Sequence, residues 1–288
     1  MAFAPIDGIN LYYEDTGQGF PLVWSHEFAG SHESWENQVR YFSRRYRVIT
    51  YNARGYPPSD VPSDSEAYTQ KQSVEDLHGL LVHLGIDQAY IGGLSMGGGV
   101  TLSFGLTYPE MTKALIVAGA GTGSTDPAQF RTQSDEFAAA LEAGGMEGLS
   151  DYVKGPTRVQ ILRKNPRAWE EFARLFASHS AIGSAHTLRG VQGKRQTIYE
   201  LEDQLRKLAV PTLILAGDED DPCIEPGVFM KRCISRSGLV FFPQSGHTIN
   251  LEEPELFNKV VDDFLIAVEA GRWAERQEGS GVGFLARR

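Results

Sequence analysis

Short runs of apolar and β-branched residues alternate along the chain with longer stretches whose apolar positions recur every three or four residues. The short runs, at residues 10–14, 22–25, 47–51, 89–92, 114–117, 212–216 and 239–242, predict strands. Several are apolar throughout, the pattern of strands covered on both faces. Helices are predicted between them at about residues 34–44, 73–83 and 254–270. The second carries Val74, Leu77, Leu80, Leu81 and Leu84 along one side, the third Leu256, Val260, Val261, Phe264, Leu265 and Val268. This alternation predicts an α/β protein built on a mostly parallel sheet.

One region breaks the alternation. Residues 121–208 contain no convincing strand, only helical stretches such as 130–143 and 168–178 separated by Gly, Pro and Ser, before residues 201–208 lead into the strand after Pro211. An insertion of that length between two late strands is expected to be a helical cap, or lid, and not a linker. The expected organisation is a core at 1–120 and 209–271, a cap at 121–208, and a Gly-rich, loosely held tail at 272–288.

Composition narrows the classes. In 288 residues, 27 Lys and Arg face 37 Asp and Glu, a formal net charge of −10, which argues against nucleic acid or an anionic membrane as the partner. Two cysteines, Cys223 and Cys233, make no disulfide framework, and no Cys/His cluster has zinc-site spacing. His78 and His83 are five apart, which does not place two imidazoles on one helix face, and His32, His179 and His186 show no partner pattern. The N-terminus lacks a basic, then apolar, secretory pattern, and the longest apolar runs are far too short to span a bilayer, so a cytoplasmic, reduced protein is expected. Neither G-x-G-x-x-G nor G-x-x-x-x-G-K-[ST] occurs, so nucleotide-dependent chemistry has no support and no cofactor or metal is expected.

The strongest chemical signal is Gly93-Leu94-Ser95-Met96-Gly97, placed between a predicted strand and a helix expected to start near Gly98. Such a context presents a serine hydroxyl on a sharp turn whose flanking glycines avoid Cβ clashes, and aims helix N–H groups at a developing anion. A serine at neutral pH is a poor nucleophile without a base and a group to orient that base. Acidic residues in Gly217-Asp218-Glu219-Asp220-Asp221-Pro222 follow one predicted strand, and Gly246-His247 follows the next. Serine, acid and histidine, each just past a separate strand, converge on the sheet edge where such folds bind ligands. Two converging N–H donors for an oxyanion are then expected from Met96 and, in the loop after residue 25, from Phe28.

Over about residues 6–268 the chain resembles an α/β-hydrolase-fold protein. His26-Glu27-Phe28 is similar to that family's H-G-x loop, and residues 52–59 to its D-x-R-G-x-G-x-S segment. Gly93–Gly97 matches its elbow, residues 217–220 its G-x-x-D loop, residues 246–254 its G-H-x-x-x-x-E-x-P segment, and residues 121–208 its cap. The resemblance implies Ser95 as nucleophile, His247 as general base and acid, and Asp220 as the residue that orients the imidazole, with Asp221 an adjacent alternative. Two departures stand out. Glu27 replaces the family's Gly, which would be strained if that position needed positive φ; its carboxylate either lines the pocket or turns to solvent or to its own loop. Asn52 and Pro57 replace an Asp and a Gly, a change expected to affect loop stiffness more than chemistry.

Phe137, Met146, Trp169, Phe172 and Phe176 are expected to wall a pocket from the cap's inner face. Cys223, near the acid loop, reads as a small packed residue more readily than as a reactive thiol. What the resemblance implies is a cofactor-independent serine hydrolase acting on a small, largely apolar ester or lactone. The same residues would serve a hydrolase of C–C bonds in diketone-like substrates, or a ligand receptor that keeps the three groups and works through its lid. The partner is then a small molecule, and a homo-oligomer stays open.

Overall fold

A computed structural model describes residues 2–276. Eight strands form one sheet: β1 (Ala2–Ile6), β2 (Ile9–Thr16), β3 (Pro21–Ser25), β4 (Arg47–Tyr51), β5 (Ala89–Leu94), β6 (Thr112–Ala118), β7 (Thr212–Gly217) and β8 (Ser237–Phe242). Their spatial order is β1-β2-β4-β3-β5-β6-β7-β8, with β1–β2 and β2–β4 antiparallel and the remaining pairs parallel. The expected mostly parallel sheet flanked by helices is therefore present. Each predicted strand falls within an observed one; β1 was not expected. Pro5 interrupts its pattern, and a proline lacking an N–H is tolerated because β1 is an edge strand. Asp7 and Gly8, both at positive φ, turn it tightly into β2.

Helices α1 (Glu36–Phe42) and α11 (Pro254–Glu269), the latter after the single turn α10 (Ile249–Glu252), cover one face, where Trp24, Trp35, Phe42 and Phe257 pack together and the two indoles stack at 4.5 Å. On the other face, α2 (Gln70–His83), α3 (Met96–Thr107) and α9 (Asp221–Cys233) enclose Val23, Ile91, Leu115 and Ile214. The helix expected over 34–44 begins instead as a 3-10 turn at His32–Trp35, which the Ser31 side chain caps. Helix α3 starts at Met96, immediately after Ser95, and not near Gly98.

Between β6 and β7 the described chain is helical, as expected: α4 (Pro127–Gly144), a 3-10 stretch at Gly145–Lys154, α5 (Val159–Lys164), α6 (Pro166–Ala177), α7 (Ala181–His186), a π-helical segment at Thr187–Gln192, and α8 (Glu202–Lys207). The side chains of Asp126 and Asn165 accept from Gln129 N and Ala168 N and cap α4 and α6. The apolar side of these helices forms a third cluster that includes Phe28 and Met96 from the sheet's loops, so the cap sits over the ends of β3 and β5. Trp273, in the segment expected to be loose, packs edge-on against Phe264 and donates to Arg236 O; residues 277–288 lie outside the described part. Among the described residues no helix is long and apolar enough to cross a membrane.

Phe257 is fully buried against Trp24, Trp35 and Phe242. Phe257→Ala is expected to cost about 3–5 kcal/mol, read as a lower urea midpoint.

Candidate active site

Ser95 joins β5 to α3 with φ 58° and ψ −112°, a backbone conformation that costs on the order of 1–3 kcal/mol and persists only where the surroundings impose it. Ser95 N donates to Ala118 O at 2.9 Å, and Gly99 N to Ser95 O at 2.9 Å. The motif's glycines avoid Cβ clashes, as expected, while the positive φ falls on the serine itself. A Cβ on Gly97 would lie 2.0 Å from Ser25 O, and one on Gly93 would lie 2.4 Å from Gly97 O. Within residues 91–98 every residue is buried except Ser95, so the turn lifts a single side chain out of the sheet.

The loops after β7 and β8 bring Asp220 and His247 together. Asp220 Oδ2 and His247 Nδ1 lie 2.7 Å apart, and the two residues are 1% and 4% exposed. Asp221 is exposed at the first position of α9, so of the two neighbouring acids it is Asp220 that meets the imidazole. Burial works to raise the Asp220 carboxyl, but the His247 imidazole, the Cys223 thiol and Arg158 hold it below its ordinary value. A Cβ on Gly119 would meet His247 Cε1 at 3.4 Å, so the ring abuts the end of β6, where Ala118 O accepts from Ser95 N. Buried Glu252 fixes the histidine loop by accepting from Gly246 N (2.7 Å), Thr248 N (3.0 Å) and Thr248 Oγ1 (2.9 Å). That is the physical use of an acid five residues after the histidine.

Cys223 is buried, its Sγ 3.3 Å from Gly119 O and beside Asp220, and burial pushes the thiol well above its ordinary pKa, so the packed reading holds. The ligand atoms of Asp220, Cys223 and His247 lie within 4.8 Å of one another, but Oδ2 and Nδ1 already share a hydrogen bond and the thiol is held protonated. The trio therefore reads as a hydrogen-bonded group and not as a metal donor set.

Phe28, in the loop after β3, shares an apolar cluster with Met96, and neither backbone amide has an acceptor among the described residues. His26 holds the loop. Ala53 N donates to its Nε2 at 2.9 Å, so Nδ1 carries the proton and donates to Glu27 O at 2.6 Å. Burial lowers its pKa to about 4. Glu27 is not at positive φ, so no strain arises from the missing glycine. Nor is it turned to solvent or to its own loop. At 1% exposure it pairs with Arg158 Nη2 from the cap at 3.0 Å, and the same nitrogen donates to Tyr152 OH at 2.6 Å. The neighbouring Thr157 O accepts from His247 N at 2.7 Å. One cap segment thus braces both the Phe28 loop and the histidine loop.

A cleft of about 590 Å³ reaches Ser95 from the side of α2 and α3, with Leu102, Ala120 and Phe130 in its wall. None of the expected pocket residues, Glu27 included, lines it. Phe172 and Phe176 fill the cap's own core with Phe28, Trp169 Nε1 donates to Val153 O, and Met146 packs on that cluster. Phe137 is 37% exposed because the inward face of α4 is set by Ser134, Ala138 and Leu141, one residue out of register with it. Buried Arg158 and half-buried Tyr152 and His179 were not foreseen; they have no fixed spacing from the residues they serve. His179 lies edge-on to Tyr56 with both ring nitrogens unpartnered, and burial lowers its pKa to about 3.

The family model for the alpha/beta hydrolase fold matches residues 21–254. The chain belongs to this family. This α/β hydrolase is 28% identical over 253 residues to 3-oxoadipate enol-lactonase 1 of Acinetobacter baylyi, covering 86% of this chain and 89% of that protein. It is 26% identical over 266 residues to 2-hydroxy-6-oxononadienedioate/2-hydroxy-6-oxononatrienedioate hydrolase of Paraburkholderia xenovorans, covering 89% and 91%. A thermophilic esterase from Thermogutta terrifontis superposes with a TM-score of 0.83 at 27% identity, over 93% of this chain and 98% of that one. These three are named as a lactonase, a hydrolase and an esterase, and this chain is an α/β-hydrolase enzyme.

Two outcomes follow from the site's packing. Glu27→Ala leaves the Arg158 charge buried without its partner and is expected to cost about 3 kcal/mol or more, whereas Glu27→Leu with Arg158→Met recovers most of that loss in urea titrations. His26 and His179 are held neutral, with folded pKa values below the unfolded value of 6.5. The unfolded chain therefore binds more protons between pH 6.5 and 4, so the stability they contribute is full above 6.5 and falls with acidification, by up to about 1.4 kcal/mol per pH unit for each. Urea titrations of His179→Phe across that range should show a shallower acid loss than the wild type.

Proposed function

We propose that this enzyme cleaves a small ester or lactone through an acyl-enzyme on Ser95, without a cofactor. The buried Asp220–His247 pair at 2.7 Å, beside a serine raised on a positive-φ turn, carries this reading. With Nδ1 donating to Asp220, the imidazole presents Nε2 as the basic nitrogen. Ser95 Oγ attacks the carbonyl carbon as Nε2 takes its proton. The oxygen that gains charge accepts hydrogen bonds from the N–H groups of Phe28 and Met96, aided by the N-terminus of α3. The C–O bond of the leaving group then breaks as the imidazolium returns the proton to the departing oxygen. A water molecule, deprotonated by His247, attacks the acyl carbon and releases the acid and free Ser95. Asp220 stays ionised throughout and stabilises the imidazolium. The likenesses to an enol-lactonase and an esterase support this bond type.

Likeness to the 2-hydroxy-6-oxononadienedioate hydrolase favours one second reading, in which the same groups cleave a C–C bond of a diketone-like substrate. Comparing turnover of aryl esters with that of a vinylogous 1,5-diketone separates the two. Ser95→Ala is expected to abolish both fluorophosphonate labelling and the acylation burst while the circular dichroism spectrum is kept; turnover at the wild-type rate would overturn the assignment. Asp220→Asn should lower kcat by about 10⁴-fold, because the imidazole then loses the acceptor that sets its tautomer.

A further inference from the structure

Arg195 carries a charge that the fold leaves without a counter-charge. The buried arginines of the site each have a carboxylate: Arg54 has Asp76 at 2.7 Å and Arg158 has Glu27 at 3.0 Å. Arg195, just past the π-helical segment, has no carboxylate within ion-pairing distance among the described residues. Its one hydrogen bond runs from Nη2 to the backbone oxygen of Thr122 at 2.9 Å, which leaves Nη1 and Nε free to donate. The guanidinium lies 5.6 Å from the centre of the Phe130 ring. A Cβ on Gly99 would lie 3.6 Å from Nη1, so the charge stands over the first turn of α3, one turn from Ser95. Burial lowers its pKa, but only to about 10, so the group remains a cation at neutral pH.

The cleft that reaches Ser95 shares this character. Its lining holds Lys71, Arg131, Lys194 and Arg195 against Glu75 and Glu200. Both acids are already engaged, Glu75 by Tyr108 OH and Glu200 by Thr197 N and Oγ1. Two buried amide oxygens in the same wall, Gln70 Oε1 and Gln192 Oε1, have no partner. An amide oxygen accepts, so these two suit a hydroxyl or N–H of a ligand and a plain acyl chain would leave them unmatched, whereas a ligand carboxylate is met by the cations alone. The cleft is therefore a poor fit to a wholly apolar substrate.

We infer that Arg195 is the subsite for a carboxylate of the substrate, so that the molecule cleaved at Ser95 is a half-ester of a short dicarboxylic acid, or a lactone bearing a free carboxylate. This deepens the acyl-transfer reading and rests on it. The far carboxylate accepts from Nη1 and Nε, the chain between lies along Leu102 and Ala120, and the reacting carbonyl lies over Ser95. Had Arg195 only a structural duty, tying the cap's end to the loop after β6 through Thr122 O, its removal would weaken all substrates alike.

The test compares matched probes, the neutral p-nitrophenyl butyrate and the anionic mono-p-nitrophenyl glutarate. The wild type is expected to favour the anion. Arg195→Gln should lower the anion-to-neutral ratio of kcat/KM by about tenfold to a hundredfold, chiefly through KM, and Arg195→Lys should restore part of it. Retained fluorophosphonate labelling of Arg195→Gln shows that its fold and Ser95 are intact. A ratio that stays the same in Arg195→Gln while both esters are cleaved overturns the subsite and leaves the acyl-transfer reading standing. If neither ester is cleaved, calorimetry of glutarate on Ser95→Ala, with and without Arg195→Gln, tests the subsite alone. Binding lost with Arg195 then upholds the carboxylate site while acyl transfer fails, and equal binding overturns it.

Discussion

A carboxylate buried beside an imidazole is the contact around which the rest of this structure is arranged. Asp220, at 1% exposure, keeps its charge only because His247, the Cys223 thiol and Arg158 together outweigh the loss of water. Each supporting contact narrows what the neighbouring loops can do. The histidine loop is held by three hydrogen bonds to Glu252 and by the cap through Thr157 O. The serine turn is held by Ala118 O and by two glycines whose missing Cβ atoms let α3 sit against Ser25 and Gly93 against Gly97. The strain at Ser95 persists because these neighbours leave it no alternative.

The cap is part of this arrangement and not a cover laid over it. Arg158 enters between the Phe28 loop and Tyr152, and its charge is met by Glu27, the residue that stands where the family has glycine. A glycine there would leave Arg158 without an ionic partner, so the two departures from an apolar interior belong together. Because one cap segment also accepts from His247 N, displacement of the cap would loosen both loops at once. The cap's aromatic residues serve mainly its own packing, and access to Ser95 comes from the side, between α3 and the cap's end.

That side approach changes what the proposed reaction would accept. Apolar lining near the serine suits a short acyl chain, but the further wall carries uncompensated positive charge and unmatched amide oxygens. Selectivity on this view lies in the stretch between the π-helical segment and α8, a part of the chain that holds none of the three groups proposed to act on the carbonyl.

The chain's own pattern determined the class of fold, the places of seven strands, the helical insertion and the strand ends at which Ser95, the acidic loop and His247 stand. Strand periodicity and residues at strand ends are local properties, written in a few consecutive positions. Asp220 could be told from Asp221 only once α9 turned the second outward. The edge strand β1 was hidden by Pro5, whose cost disappears only at a sheet edge. The partner of Glu27 lies 131 residues away on a helix connection with no fixed register to it, and the cleft is bounded by segments that meet only after folding. Phe137 shows the same limit at short range, since one residue of helical phase decides between a pocket wall and the solvent. Local order follows from neighbours in sequence, whereas charge compensation and cavity shape depend on distances that the tertiary structure alone sets.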